Sequence, residues 1–252
     1  MKQFDRQVNI TVGGVNIEGL DIDFSIEFSD SPEPNIHEIT VWNMETPVKK
    51  GDRVILNAGY KGDIGVLCNG FIEDYEIFQG ADREVVLYVG EVVPPYQKDI
   101  KIAYSPGVKA DFVMRDLLSR YGYQIGDFQI FKNISYPYGF AVDGSISEAV
   151  ERIAKDTESQ FYMRKDRLFT KPPKKGYSSG FLLNPDTGLL NSPERMQVND
   201  KQGWRVLALM NHRIDVDSII QVDSRLVNGT FRVIRGRHTS DFQTEMEVLP
   251  YG

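Results

Sequence analysis

Apolar and polar residues alternate through most of the first ninety positions. In DIDFSIEFS, Ile22, Phe24, Ile26 and Phe28 occupy every second place and so share one face of an extended strand. VNITV and this run, with a Gly13-Gly14 turn after the first, read as a half-buried antiparallel hairpin. SDSPEPN is a Pro-bearing loop. HEITVWNM, RVILNAGY, GVLCNGFIEDYEIF and REVVLYVGEV then supply four more strands joined by Gly and Asp turns. About six strands are enough to close a small barrel, which leaves no free edge.

The period changes around PPYQ. GVKADFVMRDLLSRYG sets Val113, Met114, Leu117, Leu118 and Tyr121 on one helical stripe, and Gly122 stops it. A second helix opens on a capping box, Ser145 to Glu148, and Ile146, Ala149, Val150, Ile153 and Ala154 carry its apolar stripe to about Ser159. FYMRKDRLFTKP is a short hairpin turning near Lys165-Asp166, and KPPKKGYSSG reads as an exposed linker. Strand patterns return in GWRVLALM, SIIQVDSRLV, TFRVIRGRHT and TEMEVLPY, with Asn228-Gly229 predicting a two-residue hairpin turn that needs positive φ at both places. The expected architecture is mainly β with an α+β insert: a β-barrel over 1–95, a helix-plus-hairpin region with linker over 96–181, and a second β-barrel over 182–252. A faint internal repeat connects the ends, since LVNGTFRV and GVLCNGFIEDYEI both set Asn-Gly before an aromatic in an alternating strand.

Candidate chemistry is sparse. Gly59-x-x-Gly62-x-x-Gly65 has the look of a phosphate cradle, but no helix and no Lys-Ser/Thr pair follows it, so these glycines read as turn punctuation. His37, His212 and His238 lie far apart, outside any metal or nucleophile motif, and read as scattered surface or turn histidines. Asp21/Asp23, Asp215/Asp217 and Glu245/Glu247 are spaced by two, which puts each pair on one strand face, as expected of a wet surface. DGSISE lacks the later acidic ligands of a calcium loop, and Lys171–Lys175 reads as part of the solvated linker. No catalytic, cofactor-binding or metal-ligating residue is assigned. Cys68, the one cysteine, alternates with apolar neighbours and is expected to be an inert core thiol. The net charge of −7 argues against coating nucleic acid through its phosphates. MKQFDRQVNI has no apolar signal core and no run is long enough to span a membrane, so no membrane partner is expected and assembly in a cytoplasm is the default.

The collinear set of stretches resembles the central baseplate hub proteins of contractile-tailed phages and phage-tail-like bacteriocins. FSIEFSDSPEPNIHEITVWNM followed by VKKGDRVILNAGYKGDIGVLCNGFIEDYEI is similar to that family's first barrel. SISEAVERIAKDTESQFYMRKDRLFTKP resembles its helix plus hairpin, and TGLLNSPERMQ with GWRVLALMNHRIDVDSIIQVDSRLVNGTFRVIRGRHTSDF its closing barrel, including Asn211, Asn228-Gly229 and His238.

What the resemblance implies is mechanical. Each barrel would be tail-tube-like, and a homotrimer would present six barrels to the sixfold tail tube protein above and threefold symmetry to a spike protein below, within a virion or phage-tail-like particle. Other baseplate proteins would surround it. DNA or a tape-measure protein would pass through the lumen without specific binding, along a wall that is on balance acidic, with Glu18, Asp21, Asp23, Glu27, Glu245 and Glu247 as candidates. The chain is short for such hubs, so wall-cutting or piercing would fall to a partner, and neither enzyme activity nor a cofactor is expected. The alternatives are a phage-associated cell-wall hydrolase, for which no nucleophile, metal trio or opposed carboxylates are recognisable, and a carbohydrate-binding module. The latter would expose an aromatic platform, whereas most Phe and Tyr here alternate on core-facing positions.

Overall fold

A computed structural model describes residues 5–91 and 99–252. The expected boundary at 95/96 and the PPYQ segment therefore lie outside the described residues. The N-terminal strands are β1 (Arg6–Val12), β2 (Val15–Ile17), β3 (Ile22–Ser29), β4 (Ile36–Trp42), β5 (Arg53–Tyr60), β6 (Asp63–Gln79) and β7 (Arg83–Gly90). The middle holds β8 (Asp99–Tyr104), β9 (Val108–Lys109), α1 (Ala110–Arg120), β10 (Gln124–Phe128), β11 (Ser135–Tyr136), β12 (Phe140–Ser145), α2 (Ile146–Asp156), β13 (Gln160–Arg164) and β14 (Arg167–Lys171). β15 (Tyr177–Leu183), β16 (Glu194–Val198), β17 (Lys201–Leu209), β18 (Ser218–Asp223), β19 (Asn228–Thr239) and β20 (Gln243–Pro250) complete the chain. The fold is mainly β with an α+β insert.

Two compact units result: one from the residues up to Asp30, Asn35–Gly90 and Gly176–Gly252, the other from Ser31–Pro34 and Glu91–Lys175. In the first, both strand-rich ends join one hydrogen-bonded sheet, because β19 pairs antiparallel with β3, Arg235 opposite Ser29 through Thr239 opposite Ser25. The apolar faces foreseen by alternation are buried: Phe24, Ile26 and Phe28 on β3, Val54, Leu56 and Ala58 on β5, Val85, Leu87 and Val89 on β7. Met210 and Phe242, from the far end of the chain, pack into the same core.

The strand order repeats. The N-terminal strands run β3-β4-β7-β6-β5-β1, and the C-terminal strands run β16-β17-β20-β19, with β18 on β19 and β15 on β18. Taken in chain order, β1, β3, β4, β5, β6 and β7 correspond to β15, β16, β17, β18, β19 and β20. One sense differs: β15 and β18 are parallel, whereas β1 and β5 are antiparallel. The two long strands behave alike. β6 pairs β5 through Asp63–Phe71 and β7 through Phe71–Gln79, while β19 pairs β18 through Asn228–Arg232 and β20 through Phe231–Thr239. The Asn-Gly phrase shared by the two ends falls on these two strands.

Several expectations need correcting. VNITV forms its tight Gly13-Gly14 hairpin with β2, not with DIDFSIEFS, which pairs with β4 and β19. Asn228-Gly229 is not a turn: both residues sit in β19 opposite Asp223 and Val222, and the reversal is made by the Ser224–Val227 segment. There the Ser224 backbone N–H donates to Val227 O and Asn228 Oδ1, and its hydroxyl also donates to Val227 O, a closed loop that outcompetes the two-residue turn. The linker is half strand. Tyr177–Leu183 pairs with β18, and Lys171 is fully buried at the end of β14, its ammonium donating to Lys175 O at 3.3 Å and lying 5.5 Å from the Tyr162 ring.

The second unit has its own core of Val113, Met114, Leu117 and Leu118 from α1 and Ile146, Val150 and Ile153 from α2, packed against Phe161 and Leu168. The capping box is present: Ser145 Oγ accepts from Glu148 N, and Ser145 N donates to Glu148 Oε2 at 3.1 Å. β13 and β14 turn at Lys165-Asp166, both at positive φ. A buried Arg164–Glu91 ion pair and a 2.9 Å bond from Lys165 N to Glu91 Oε1 fix this turn. β8 and β12 went unread although Ile100, Ile102 and Tyr104 on one, and Phe140 and Val142 on the other, alternate with exposed residues.

Candidate functional site

The widest feature of the first unit is the solvent face of the joined sheet. Register carries it unbroken: Arg205 on β17 stands opposite Glu247 on β20, Glu247 opposite Arg235 on β19, Arg237 opposite Glu27 on β3, Ser25 opposite Glu38 on β4, Glu38 opposite Tyr88 on β7, and Tyr88 opposite Asp74 on β6. Period-two alternation then places all of these on one side, away from the core.

The two ends of this face differ electrostatically. At the C-terminal end charges are matched: Arg237 Nη2 donates to Glu245 Oε2 at 2.8 Å, Arg235 Nε to Glu247 Oε2 at 2.7 Å, and Arg205 Nε lies 3.2 Å from Glu245 Oε1. These are cross-strand pairs on a wet sheet, each worth about 0.2–1 kcal/mol. Beside them Asn191, Ser192, Glu194, Arg205, Leu207, Gln243 and Glu245 line an open polar depression of about 280 Å³. At the N-terminal end Glu38, Asp74 and Glu76 gather around Tyr88. Glu76 above all, then desolvation and the charges of Glu38 and Asp74, push the Tyr88 phenol pKa upward. A 3.0 Å pair with Lys50 helps to hold the Asp74 carboxyl below the usual range.

Of the acids expected to line a lumen, Asp23, Glu27, Glu245 and Glu247 lie on this face, and the last two are matched by arginines. Asp23 accepts from its neighbour Phe24 N at 2.8 Å and from the Ser240 hydroxyl. Glu18 holds Asn16 Nδ2 at 2.6 Å in an exposed turn, and Asp21 is exposed, its carbonyl accepting from Trp42 N. The sequence reading missed Glu38, Asp74 and Glu76. Their signal was present, because Glu38 sits between buried His37 and Ile39, and Asp74 and Glu76 flank half-buried Tyr75.

The histidine expectation holds for His212, which lies in a turn, and is corrected for the other two. His37 and His238 are fully buried: His37 Nδ1 accepts from Glu27 N at 3.2 Å, and His238 Nδ1 lies 2.9 Å from Thr244 Oγ1 with its ring 5.0 Å from that of Phe28. His212 Nε2 lies 3.8 Å from Asp63 Oδ1, and Arg213 pairs with the same carboxylate. The glycine run is explained by these contacts. Gly62, at φ +84°, makes the β5–β6 turn, and a Cβ at Gly65 would overlap the His212 ring. Among the described residues no cluster of three His, Cys, Asp or Glu side chains is placed to hold a metal ion, and no helix is long and apolar enough to cross a membrane.

The fold is one shared with solved phage tail proteins. The chain is similar to the 43 kDa tail protein of prophage MuSo2 from Shewanella oneidensis, with a TM-score of 0.75 at 8% identity over 98% of each chain. It is also similar to a tail protein from Neisseria meningitidis MC58, with a TM-score of 0.69 at 9% identity over 97% of this chain and 96% of that one. A third similar structure is the E. coli c3393 protein, described as a type VI secretion system component resembling T4 tail proteins gp27 and gp5; its TM-score is 0.71 at 7% identity, over 96% of this chain and 77% of that one. No family model and no curated protein matches the sequence.

Proposed function

We propose that the chain is the structural hub of a phage or phage-tail-like baseplate. Three copies form a ring that joins the sixfold tail tube to a threefold spike, with other baseplate proteins around it and no chemistry of its own. The observation that carries this reading is the repeated strand order. A chain built of two like halves shows three copies' worth of threefold symmetry at one end and six halves at the other, which is what a junction between the two symmetries requires. Each half, over 6–90 and 177–250, is read as a small tube-like barrel, so the second begins at β15 and not at the expected 182. In the C-terminal half the backbone bonding supports closure: after β15 the chain turns at Asn184, and Leu190 N donates to Leu207 O while Leu209 N donates to Gly188 O, returning the path to β17.

The solvent face of the joined sheet is proposed as the channel wall. It carries Glu27, Glu38, Asp74, Glu76, Glu84, Glu245 and Glu247 against Arg205, Arg235, Arg237 and Lys50, so like charge keeps passing DNA or tape-measure protein mobile. The ring is weak alone, because tube and spike add interface area and association follows mass action. Light scattering of the chain across concentration, with and without the neighbouring spike protein, tests the proposal. A threefold complex is expected with the spike, and a chain that stays monomeric in its presence overturns it.

A further inference from the structure

Among the described residues β2, β15, β16 and the last part of β6 are each paired on one side only, and the repeat assigns a partner to the edges of β6 and β16. Within the chain, the halves are joined where β19, past the stretch that pairs with β18, offers its outer edge from Arg235 to Thr239 to Ser25–Ser29 of β3. The counterpart of β19 is β6, and the counterpart of β3 is β16. β6 is likewise covered on its outer side only at the start. Its ladder with β5 ends at Phe71, and the last bonds there are Gly51 N to Ile72 O and Ile72 N to Asp52 O. Beyond Ile72, the edge from Glu73 to Gln79 pairs with no strand among the described residues, and β16 ends the sheet path with β17 as its one neighbour. Open edges of this kind are normally covered in the assembled state.

We infer that β6 of one copy, from Glu73 to Gln79, pairs with β16 of a second copy, repeating between molecules the β19–β3 junction made within each. This rests on the ring reading above and names its contact. Side chains agree with it. Ile77 and Phe78 are adjacent in β6 and therefore on opposite faces, yet they are 40% and 50% exposed, so this arm shows apolar groups on both sides. β16 offers half-buried Met196 between exposed Arg195 and Gln197. The pairing is head-to-tail, with one donor edge and one acceptor edge per copy, and such a contact closes into a ring when the rotation per step divides a full turn. In the ring of three chains proposed above, this contact alternates with the internal junction to link six halves.

Cysteine cross-linking in the full chain tests it. Ile77→Cys combined with Gln197→Cys cannot join within a copy, since β6 and β16 lie seven strands apart on one sheet. Under mild oxidation, with spike protein present, the double variant is expected to give a covalent species of three chains that reduction dissolves, and neither single variant should give it. Phe78→Asp, at an exposed arm, is expected to leave the thermal melt unchanged and to weaken assembly about tenfold or more. A wild-type trimer with no cross-link, and an unweakened Phe78→Asp trimer, overturn this contact while leaving the ring reading standing. A wild-type chain that remains monomeric with its spike overturns both.

Discussion

At the scale of single residues the fold is most demanding where backbone and side chain approach closely. Gly65 faces the His212 ring, so Gly65→Leu has nowhere to put its side chain and should cost about 1–3 kcal/mol, read as a lowered melting temperature. Cys68 is fully buried in the core of the first unit, and should react with a thiol reagent only after denaturant is added; rapid stoichiometric labelling of the native protein contradicts that placement. In the second unit burial, and then a 2.8 Å hydrogen bond to Asp116, raise the Tyr104 phenol above the ordinary range. Its protonated form is the one the fold favours. The contribution is complete below the unfolded tyrosine pKa of about 10 and is lost as pH rises through the folded value. Ultraviolet titration of tyrosinate should therefore show a late-ionising fraction that shrinks in Tyr104→Phe.

At the scale of elements, strict alternation and helix signals were legible and local turn competition was not. The β3, β5 and β7 faces and the α2 stripe could be read directly, because burial enforces period two or 3.6 on the chain. Ser145→Ala should remove about 1 kcal/mol by deleting the hydroxyl that accepts from Glu148 N, and a chemical denaturation midpoint would show it. Asn228-Gly229 misled because the same dipeptide serves a hairpin turn or a strand start, and Ser224 decided the matter from four residues upstream. β2 was hidden by its three-residue length, and β15 by a Gly- and Ser-rich sequence whose partner, β18, lies some forty residues later. His37 and His238 were placed outside the core because a titratable ring was read as polar, although His37 falls in step with Ile39 and Val41. The acidic wing around Tyr88 was recoverable from alternation, but its union with the Arg205–Glu247 end depended on the β19–β3 pairing, a long-range contact that no local pattern encodes.

At the scale of the whole molecule, the sequence hint of a repeat was one shared Asn-Gly phrase, while the structure repeats six strands in order. Duplication survives in topology after side chains have diverged, because strand order is fixed by the backbone ladder and each face needs only alternation. A two-half chain that makes one junction internally and leaves its two matching edges open is suited to a closed ring of three. The most direct test is the copy number of the chain in purified tail particles, measured by quantitative mass spectrometry against the spike and tube proteins. Three copies per particle are expected, equal to the spike chains and half the number in one tube ring; six copies, or a number that grows with tail length, would contradict a three-chain ring.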